Sequence, residues 1–587
     1  MDFFSVLTML GGLALFLYGM EALGDGLSKI SGGKLEKVLE KLTSNPIKAV
    51  LLGAGVTAVI QSSSATTVMV VGFVNSGIMR LHQAVGIIMG ANIGTTVTSW
   101  ILSLSGIDSS NFLIKLLKPT SFSPILAIIG IVMLMFSKKE KKKDIGTILV
   151  GFAILMFGMD TMSNAVKPLA DVPEFTNILL MFSNPILGML AGAVLTAIIQ
   201  SSSASVGILQ ALCATGAVQF STALPIIMGQ NIGTCITAIL SSIGANKNAK
   251  RAALVHLYFN IIGTVVFMVV FYSLNTFVHF AFLNNVANPA GIATIHTTFN
   301  VCATILLLPF ARGIEKLAYL TVKEDKTEEL TTDDNATVLD PRFLESPSFA
   351  TQQCRSLAVK MADLSKEALF ESMSLLDKFD ADKAKKISDI EDQVDRYEDE
   401  LGTYLVKLSS KNLLEKDSRT LSTILHCIGD FERISDHAVN IKESAEELHK
   451  KGLKFSPNAK KDLEVLGRAV EEIVNTAYAV FDKQDMKLAE KIEPLEEVVD
   501  ELSKEVKRRH VQRLRSGECT IEMGFILTDI TTCLERVADH CSNIGVCVTQ
   551  VSEDLYDTHS HLNTVKTHPD ESFYQELEDA RIKYQLS

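Results

Sequence analysis

Gln61-Ser62-Ser63-Ser64-Ala65 and Gln200-Ser201-Ser202-Ser203-Ala204 each interrupt an apolar run, and they stand 139 residues apart. Outward from them the match continues without a gap. Residues 44–98 align with residues 183–237, and 26 of the 55 positions are identical. Ser44-Asn45-Pro46 pairs with Ser183-Asn184-Pro185, and Asn92-Ile93-Gly94-Thr95 pairs with Asn231-Ile232-Gly233-Thr234. The same offset joins Tyr18-Gly19-Met20-Glu21 to Phe157-Gly158-Met159-Asp160. The first half is therefore a duplication, with copies expected over about residues 1–138 and 139–315.

Charge divides the 587 residues at the end of that duplication. Residues 1–320 hold 19 Lys+Arg and 12 Asp+Glu, a balance of +7, whereas the rest holds 36 and 55, a balance of −19. Apolar runs near residues 3–21, 82–104, 122–137, 145–163, 221–243, 252–274 and 290–311 are of the length needed to cross about 30 Å of hydrocarbon. This excludes a soluble enzyme. Nine cysteines without CxxC or Cys/His spacing give no disulfide framework and no zinc site. The Met1-Asp2-Phe3-Phe4 start has no basic stretch or cleavage site, so the first run is expected to remain as a span.

If residues 46–75 and 185–214 are re-entrant helical hairpins, three crossings separate equivalent points of the copies, and an odd number inverts the second. Lys and Arg concentrate in cytoplasmic loops. On the expected inner side lie Lys29, Lys34, Lys37, Lys41, Lys48, Arg80, Lys138, Lys139, Lys141, Lys142, Lys143, Lys247, Lys250, Arg251, Arg312 and Lys316, sixteen in all; Lys115, Lys118 and Lys167 lie outside. The expectation is a polytopic cytoplasmic-membrane (inner-membrane) protein with its N-terminus outside, seven crossings and a cytoplasmic C-terminal half.

Irregular backbone at membrane depth is tolerated only where protein buries it or a water-filled site adjoins it. Inverted repeats with interrupted helices at matching positions point to a secondary transporter with its substrate between the copies. Free N–H groups at a half-helix start favour an anion, and Ser62, Ser63, Ser64, Ser201, Ser202 and Ser203 add hydroxyl donors. No Lys or Arg falls between Lys48 and Arg80 or between Lys167 and Lys247, so neither hairpin supplies a cation. Bound sodium would provide that charge. The neutral oxygens of Gln61, Gln200, Asn92, Thr95, Thr96, Asn231 and Thr234 suit a hard cation. Glu21 and Asp160 read as solvated caps, and His256 and His296 as helix-packing residues.

Together with Gly90-Ala91-Asn92-Ile93-Gly94-Thr95-Thr96, Gly229-Gln230-Asn231-Ile232-Gly233-Thr234, His256-Leu257-Tyr258-Phe259-Asn260 and His296-Thr297-Thr298-Phe299-Asn300, the doubled Gln-Ser-Ser-Ser resembles the type II sodium/phosphate cotransporter family over about residues 1–315. That resemblance implies that the two serine segments form the phosphate and sodium site. Some eukaryotic members carry a further intramembrane aspartate at a sodium site; no Asp here aligns with it.

Residues 321–343 read as a polar linker after the 1–320 transmembrane domain. Over 344–553, apolar positions recur at helical spacing in six segments, near 344–378, 380–409, 413–450, 456–482, 485–516 and 518–553, giving a six-helix bundle of two three-helix units. Glu432-Arg433-Ile434-Ser435-Asp436-His437-Ala438-Val439-Asn440-Ile441 returns as Glu535-Arg536-Val537-Ala538-Asp539-His540-Cys541-Ser542-Asn543-Ile544, six of ten identical at an offset of 103. Glu and Asp four apart share a helix face. Glu391 and Asp395, with Glu496 and Asp500, are weaker copies on the preceding helices, and converging carboxylates suit a metal ion or cluster; a solvated acidic face is the alternative. These motifs resemble the PhoU family of phosphate-signalling regulators over about 345–550. The resemblance implies metal at Glu432, Asp436, Glu535 and Asp539, its identity unspecified. For the bundle the expected partners are a second copy or a phosphate-signalling protein. The tail 554–587 is polar and carries no readable motif.

The fold expected is thus all-α, a membrane half plus a cytoplasmic bundle. The function expected is sodium-coupled transport of inorganic phosphate across the bilayer, with a phosphate-responsive membrane sensor of little flux as the alternative. A hydrolase is disfavoured by the lack of a GxSxG elbow, an HExxH motif or any Asp or Glu inside the hairpins. Nothing points to nucleic acid.

Overall fold

The computed structural model describes residues 3–31, 45–106, 119–168, 172, 177, 179–213, 216–323, 339–553 and 571–586. Lys34, Lys37, Lys41, Lys115 and Lys118 of the charge census, residues 324–338 of the linker and 554–570 of the tail lie outside these. Among the described residues the elements are helical, with one isolated bridge between Gln219 and Val286. They form two compact units, Met1–Phe349 and Ala350–Ser587.

In the first unit, α1 (Phe3–Ser31) is followed by α2 (Pro46–Ile60) and α3 (Ser63–Asn75), which are separated at Gln61-Ser62. After α4 (Leu81–Ser103), α5 (Pro119–Phe136) and α6 (Glu140–Val166), the pattern repeats as α7 (Pro185–Ile199) and α8 (Ser202–Cys213). Then follow α9 (Phe220–Gly233), α10 (Cys235–Ser241), α11 (Lys247–Val278), α12 (Pro289–Leu307) and α13 (Ala311–Thr321). Among the described residues six helical segments are long and apolar enough to span a membrane. The expected span near 122–137 belongs to the 18-residue α5, about 27 Å at 1.5 Å per residue and so at the short limit for a crossing.

Glycines set the spacing of these helices, and they do so twice. A Cβ at Gly90 of α4 would collide with the Val50 carbonyl of α2; a Cβ at Gly229 of α9 would collide with the Met189 carbonyl of α7. Gly53 and Gly192 meet the carbonyls of Ile87 and Ile226 in the same way, and Gly94 and Gly233 those of Ala54 and Ala193. Every one of these pairs is related by 139, so the duplication extends to backbone contacts. Between the copies, Gly12 of α1 lies against Gly158 of α6 and Gly19 against Gly151. Since 12 and 151, and 19 and 158, are the equivalent positions, the first helices of the two copies run antiparallel about a local two-fold.

The second unit contains α14 (Pro347–Leu375, its first turn in the first unit), α15 (Ala381–Ser409), α16 (Glu415–Lys451), α17 (Pro457–Lys483), α18 (Ile492–Arg515) and α19 (Ile521–Glu553). Its motif helices α16 and α19 pack on each other. Ile434, Ala438, Ile441, Val537, Cys541 and Ile544 from the two motifs are buried, while Phe431 stacks edge-on against Tyr478 and Phe481 of α17. Two regions differ from the sequence reading. The end of the linker is buried, since Leu339, Asp340 and Phe343 pack into the first unit. Within the tail, α20 (Glu571–Lys583) is held by Arg581 on Glu501, Lys583 on Glu472 at 2.7 Å and Lys491 on Glu576 at 2.9 Å. These ion pairs flank a short buried stripe of Leu577, Ala580 and Tyr584, which is too small to stand out in the hydropathy of a polar tail.

Because the Gly90 and Gly229 contacts are with backbone, which cannot rotate away, Gly90→Ala and Gly229→Ala are each expected to destabilise the first unit by about 1–3 kcal/mol or more. A thermal melt of the detergent-purified protein checks this, with Gly313→Ala, where a Cβ meets nothing, as the neutral control.

Candidate functional site

Each break is made by a glutamine in the left-handed region, Gln61 at φ 60° and Gln200 at φ 59°. Their N–H groups close α2 and α7 on the carbonyls of Thr57 and Thr196 at 2.8 and 2.7 Å. A non-glycine residue there costs about 1–2 kcal/mol, so matching strain at both breaks marks a position held for its geometry. Thr57 Oγ1 donates to Thr66 Oγ1 at 3.1 Å, and Thr196 Oγ1 to Ser205 Oγ at 2.8 Å, so the two arms of each pair lie side by side next to the break.

The serines that follow start new helices. Ser62 Oγ accepts from Ala65 N at 3.1 Å, and Ser201 Oγ accepts from Ala204 N at 3.2 Å. With these caps in place, α3 and α8 meet at their N-termini. Ser63 Oγ lies 3.5 Å from Ser202 Oγ, again a separation of 139, and Ser64 Oγ donates to the Gln200 carbonyl at 3.4 Å. Ser63, Ser202 and Ser203 are buried. The structure thus brings the two predicted serine segments together through Ser63, Ser64 and Ser202. Two helix N-termini, each equivalent to about half a positive charge, face a common point lined by hydroxyls.

The predicted cation ligands divide. Thr95 Oγ1 donates to the Ala91 carbonyl at 3.1 Å, Thr96 Oγ1 to Ile93 at 2.7 Å and Thr234 Oγ1 to Gln230 at 2.9 Å. With their protons given to the helix, these oxygens offer lone pairs. Asn231 turns its amide nitrogen to the Ile227 carbonyl at 3.1 Å. Asn92 is engaged elsewhere: its Nδ2 donates to Asn260 Oδ1 at 3.1 Å, and His256 Nε2 lies 3.4 Å from its Oδ1. Gln61 is tied to the Ala58 carbonyl and accepts from Thr98 Oγ1 at 2.9 Å, so its side chain fixes the turn; Gln200 is exposed.

Two buried glutamines escaped the sequence reading. Gln230 Nε2 donates to the Ser205 carbonyl at 3.0 Å, and Gln210 Nε2 to the carbonyls of Ser99 and Pro289, both at 3.1 Å; neither Oε1 has a donor. A buried carbonyl oxygen without a donor is costly, and Gln230 Oε1, beside Asn231 and Thr234 in sequence, has the chemistry of a cation ligand. The signal was present as broken symmetry, because the first copy has Ala91 and Val71 at these positions.

In the bundle the carboxylates expected to hold metal meet different partners in the two motifs. Among the described residues no group of three or more His, Cys, Asp or Glu side chains is placed to hold a metal ion. In the second motif, Glu535 accepts from Ser503 Oγ at 2.8 Å and from Lys507 Nζ at 3.1 Å. Burial opposes its ionisation, but these two donors more than offset that and hold the carboxyl below its usual range. Asp500 is paired with Lys504 at 2.5 Å. Lys507 thus gives Glu535 a counter-charge, while burial raises the Asp539 carboxyl and Arg536 offsets part of that rise. In the first motif Glu432 has Arg433 at 3.8 Å. Burial first, and then Asp436, push the Glu432 carboxyl up to about 7. Burial and the neighbouring Asp392, Asp436 and Asp395 likewise raise Glu391. Carboxylates from α15 and α16 thus stand close enough to raise one another.

A family model described as Na+/Pi-cotransporter matches residues 15–164 and 154–285, and a PhoU domain model matches residues 358–445 and 463–548. The chain is 25% identical over 519 residues to the "Putative inorganic phosphate export protein YjbB" of Escherichia coli (strain K12), covering 87% of this chain and 91% of that protein. It is 30% identical over 312 residues to the uncharacterized protein YqeW of Bacillus subtilis (strain 168), covering 53% of this chain and 96% of the relative. A segment of 99 residues is 39% identical to the sodium-dependent phosphate transport protein 2A of Rattus norvegicus, 16% of this chain and 15% of that one.

The raised Glu432 gives a signed pH dependence. Below the ordinary carboxylate range both folded and unfolded states carry the proton, and the native state is spared any cost; that advantage is lost as pH rises through about 7. Glu432→Gln is accordingly expected to raise the melting temperature of the full-length protein at about pH 8 and to leave it unchanged near pH 4, read by circular dichroism.

Proposed function

Because the chain belongs to the Na+/Pi-cotransporter family and carries PhoU domains downstream, we propose that it moves inorganic phosphate across the cytoplasmic membrane in a sodium-coupled cycle adjusted by the bundle. The observation that carries this reading is the meeting of the α3 and α8 N-termini at Ser63 and Ser202. Phosphate lies between them and accepts from the free N–H groups and hydroxyls of Ser62–Ser64 and Ser201–Ser203.

Magnitudes decide why sodium is needed. A helix N-terminus contributes at most about 2 kcal/mol to an anion in favourable geometry, whereas desolvation costs several kcal/mol per buried ion. Two termini do not balance a divalent oxyanion, and no Lys or Arg falls between Lys48 and Arg80 or between Lys167 and Lys247, the stretches that contain the two breaks. Sodium at the oxygens of Thr95, Thr96, Thr234, Asn231 and Gln230 supplies the remaining charge, and the coupling follows from electrostatics. In this reading α2–α3 and α7–α8 are re-entrant hairpins of inverted repeats, the N-terminus is outside and the bundle cytoplasmic. Net direction follows the combined gradients; the E. coli relative's name assigns it to export.

Labelled-phosphate flux in proteoliposomes tests this. An imposed sodium gradient is expected to drive phosphate accumulation, and the Ser63→Ala/Ser202→Ala protein to lose at least about tenfold in kcat/KM, or about 1.4 kcal/mol, while eluting as a folded species. Phosphate binding without flux in the wild type would instead favour a sensor. In a separate measurement, Gln230→Leu, which removes the unpaired acceptor, is expected to raise the sodium concentration needed for half-maximal transport.

A further inference from the structure

After residues 324–338 the chain is held against the first unit from Leu339 to Phe349, with Asp340, Phe343 and Phe349 fully buried. Asp340 is the centre of this contact. Asn75 Nδ2 donates to its Oδ2 at 2.7 Å, Arg342 N to its Oδ1 at 2.9 Å and Arg342 Nη1 to its Oδ2 at 2.8 Å. Arg342 Nε reaches on to the Ser241 carbonyl of α10 at 2.8 Å. Asn75, the last residue of α3, also accepts from Asn246 N at 2.8 Å, and Asn246 Nδ2 donates to its carbonyl at 2.7 Å. Phe73, Phe343 and Phe349 pack ring on ring, with centroids 5.0–5.4 Å apart. Phe343 covers Gly72, where a Cβ would come within 2.9 Å of the ring.

The second copy has no counterpart. At the same offset Gly72, Phe73 and Asn75 become Ala211, Leu212 and Ala214, which lack the gap, the ring and the amide. One hairpin arm alone is therefore equipped to hold the linker. That arm has 13 residues and is about 20 Å long at 1.5 Å per residue. Asn75 stands at one end and Ser63, in contact with Ser202, at the other. Phe349 lies in the first turn of α14, the helix whose chain continues into the bundle.

We infer that residues 339–349 form a clip that sets the position of α3, and through it of Ser63 and Ser64, making this helix the route by which the bundle adjusts the first-copy half of the site. That the adjusted property is phosphate affinity rests on the function proposed above; the mechanical link rests on the contacts alone. A fully buried carboxylate engaged at both oxygens specifies one geometry, and a hydrogen-bonded helix transmits displacement along its axis. Coupling of this kind is a free energy shared between two sites and acts in both directions.

The test combines hydrogen exchange and flux in the full-length protein, comparing wild type with Asp340→Ala and with the milder Asn75→Ala and Phe73→Leu. The last two install the residues of the second copy and serve if Asp340→Ala fails to fold. Amides of residues 61–68, at the far end of α3, are expected to exchange about tenfold faster or more in the variants, while residues 200–207 are unchanged. The phosphate KM is expected to shift about fivefold or more. Faster exchange confined to residues 70–76 and 339–349, with unaltered KM, would reduce the clip to a local anchor and overturn the inference. If the wild type carries no phosphate yet residues 61–68 still respond, the clip stands and the transport reading falls.

Discussion

Backbone N–H groups left free at the start of a helix, in a medium that cannot hydrate them, are the constraint around which the membrane unit is organised. The chain creates that situation twice by forcing Gln61 and Gln200 into the left-handed region, and it answers part of it with the Ser62 and Ser201 caps. What remains unanswered converges on a local two-fold where Ser63 meets Ser202. The symmetry places two positive helix ends against one point, which a single helix could not do. The glycine contacts at positions 53, 90 and 94 and their equivalents at 192, 229 and 233 hold the broken helices close enough for that meeting.

The symmetry is useful partly because it is incomplete. Gln230 and Gln210 place buried acceptors where the first copy has Ala91 and Val71. Conversely, Phe73 and Asn75 give the first copy a docking point for the linker that the second copy lacks. Duplication supplies the paired helix ends, and divergence supplies a distinct task to each copy.

Much of this was legible in the sequence because its signals are local or repeated. A constant offset of 139 gave the duplication, and hydropathy gave the helices of both units. Neither depends on knowing what faces what. Where an outcome does depend on a facing side chain, spacing was a poor guide. Glu535 and Asp539 share a helix face as their spacing implies, but the donors that hold Glu535, Lys507 and Ser503, stand on the neighbouring helix and are not legible in that spacing. Asp340 and Phe343 looked like the end of a polar linker because their burial is created by Asn75 and Gly72, more than 260 residues earlier. The helix at Glu571–Lys583 has the same explanation, since the surfaces that pair with its charges and bury Leu577, Ala580 and Tyr584 are distant in sequence.

In the proposed function two helix ends bind the anion and sodium balances the charge that they leave. Equilibrium binding of labelled phosphate to the purified protein, titrated with sodium at constant ionic strength, measures this without reference to flux or direction. The account predicts that phosphate affinity rises steeply with sodium and that phosphate tightens sodium by the same factor. Phosphate affinity that stays the same when choline replaces sodium would contradict it.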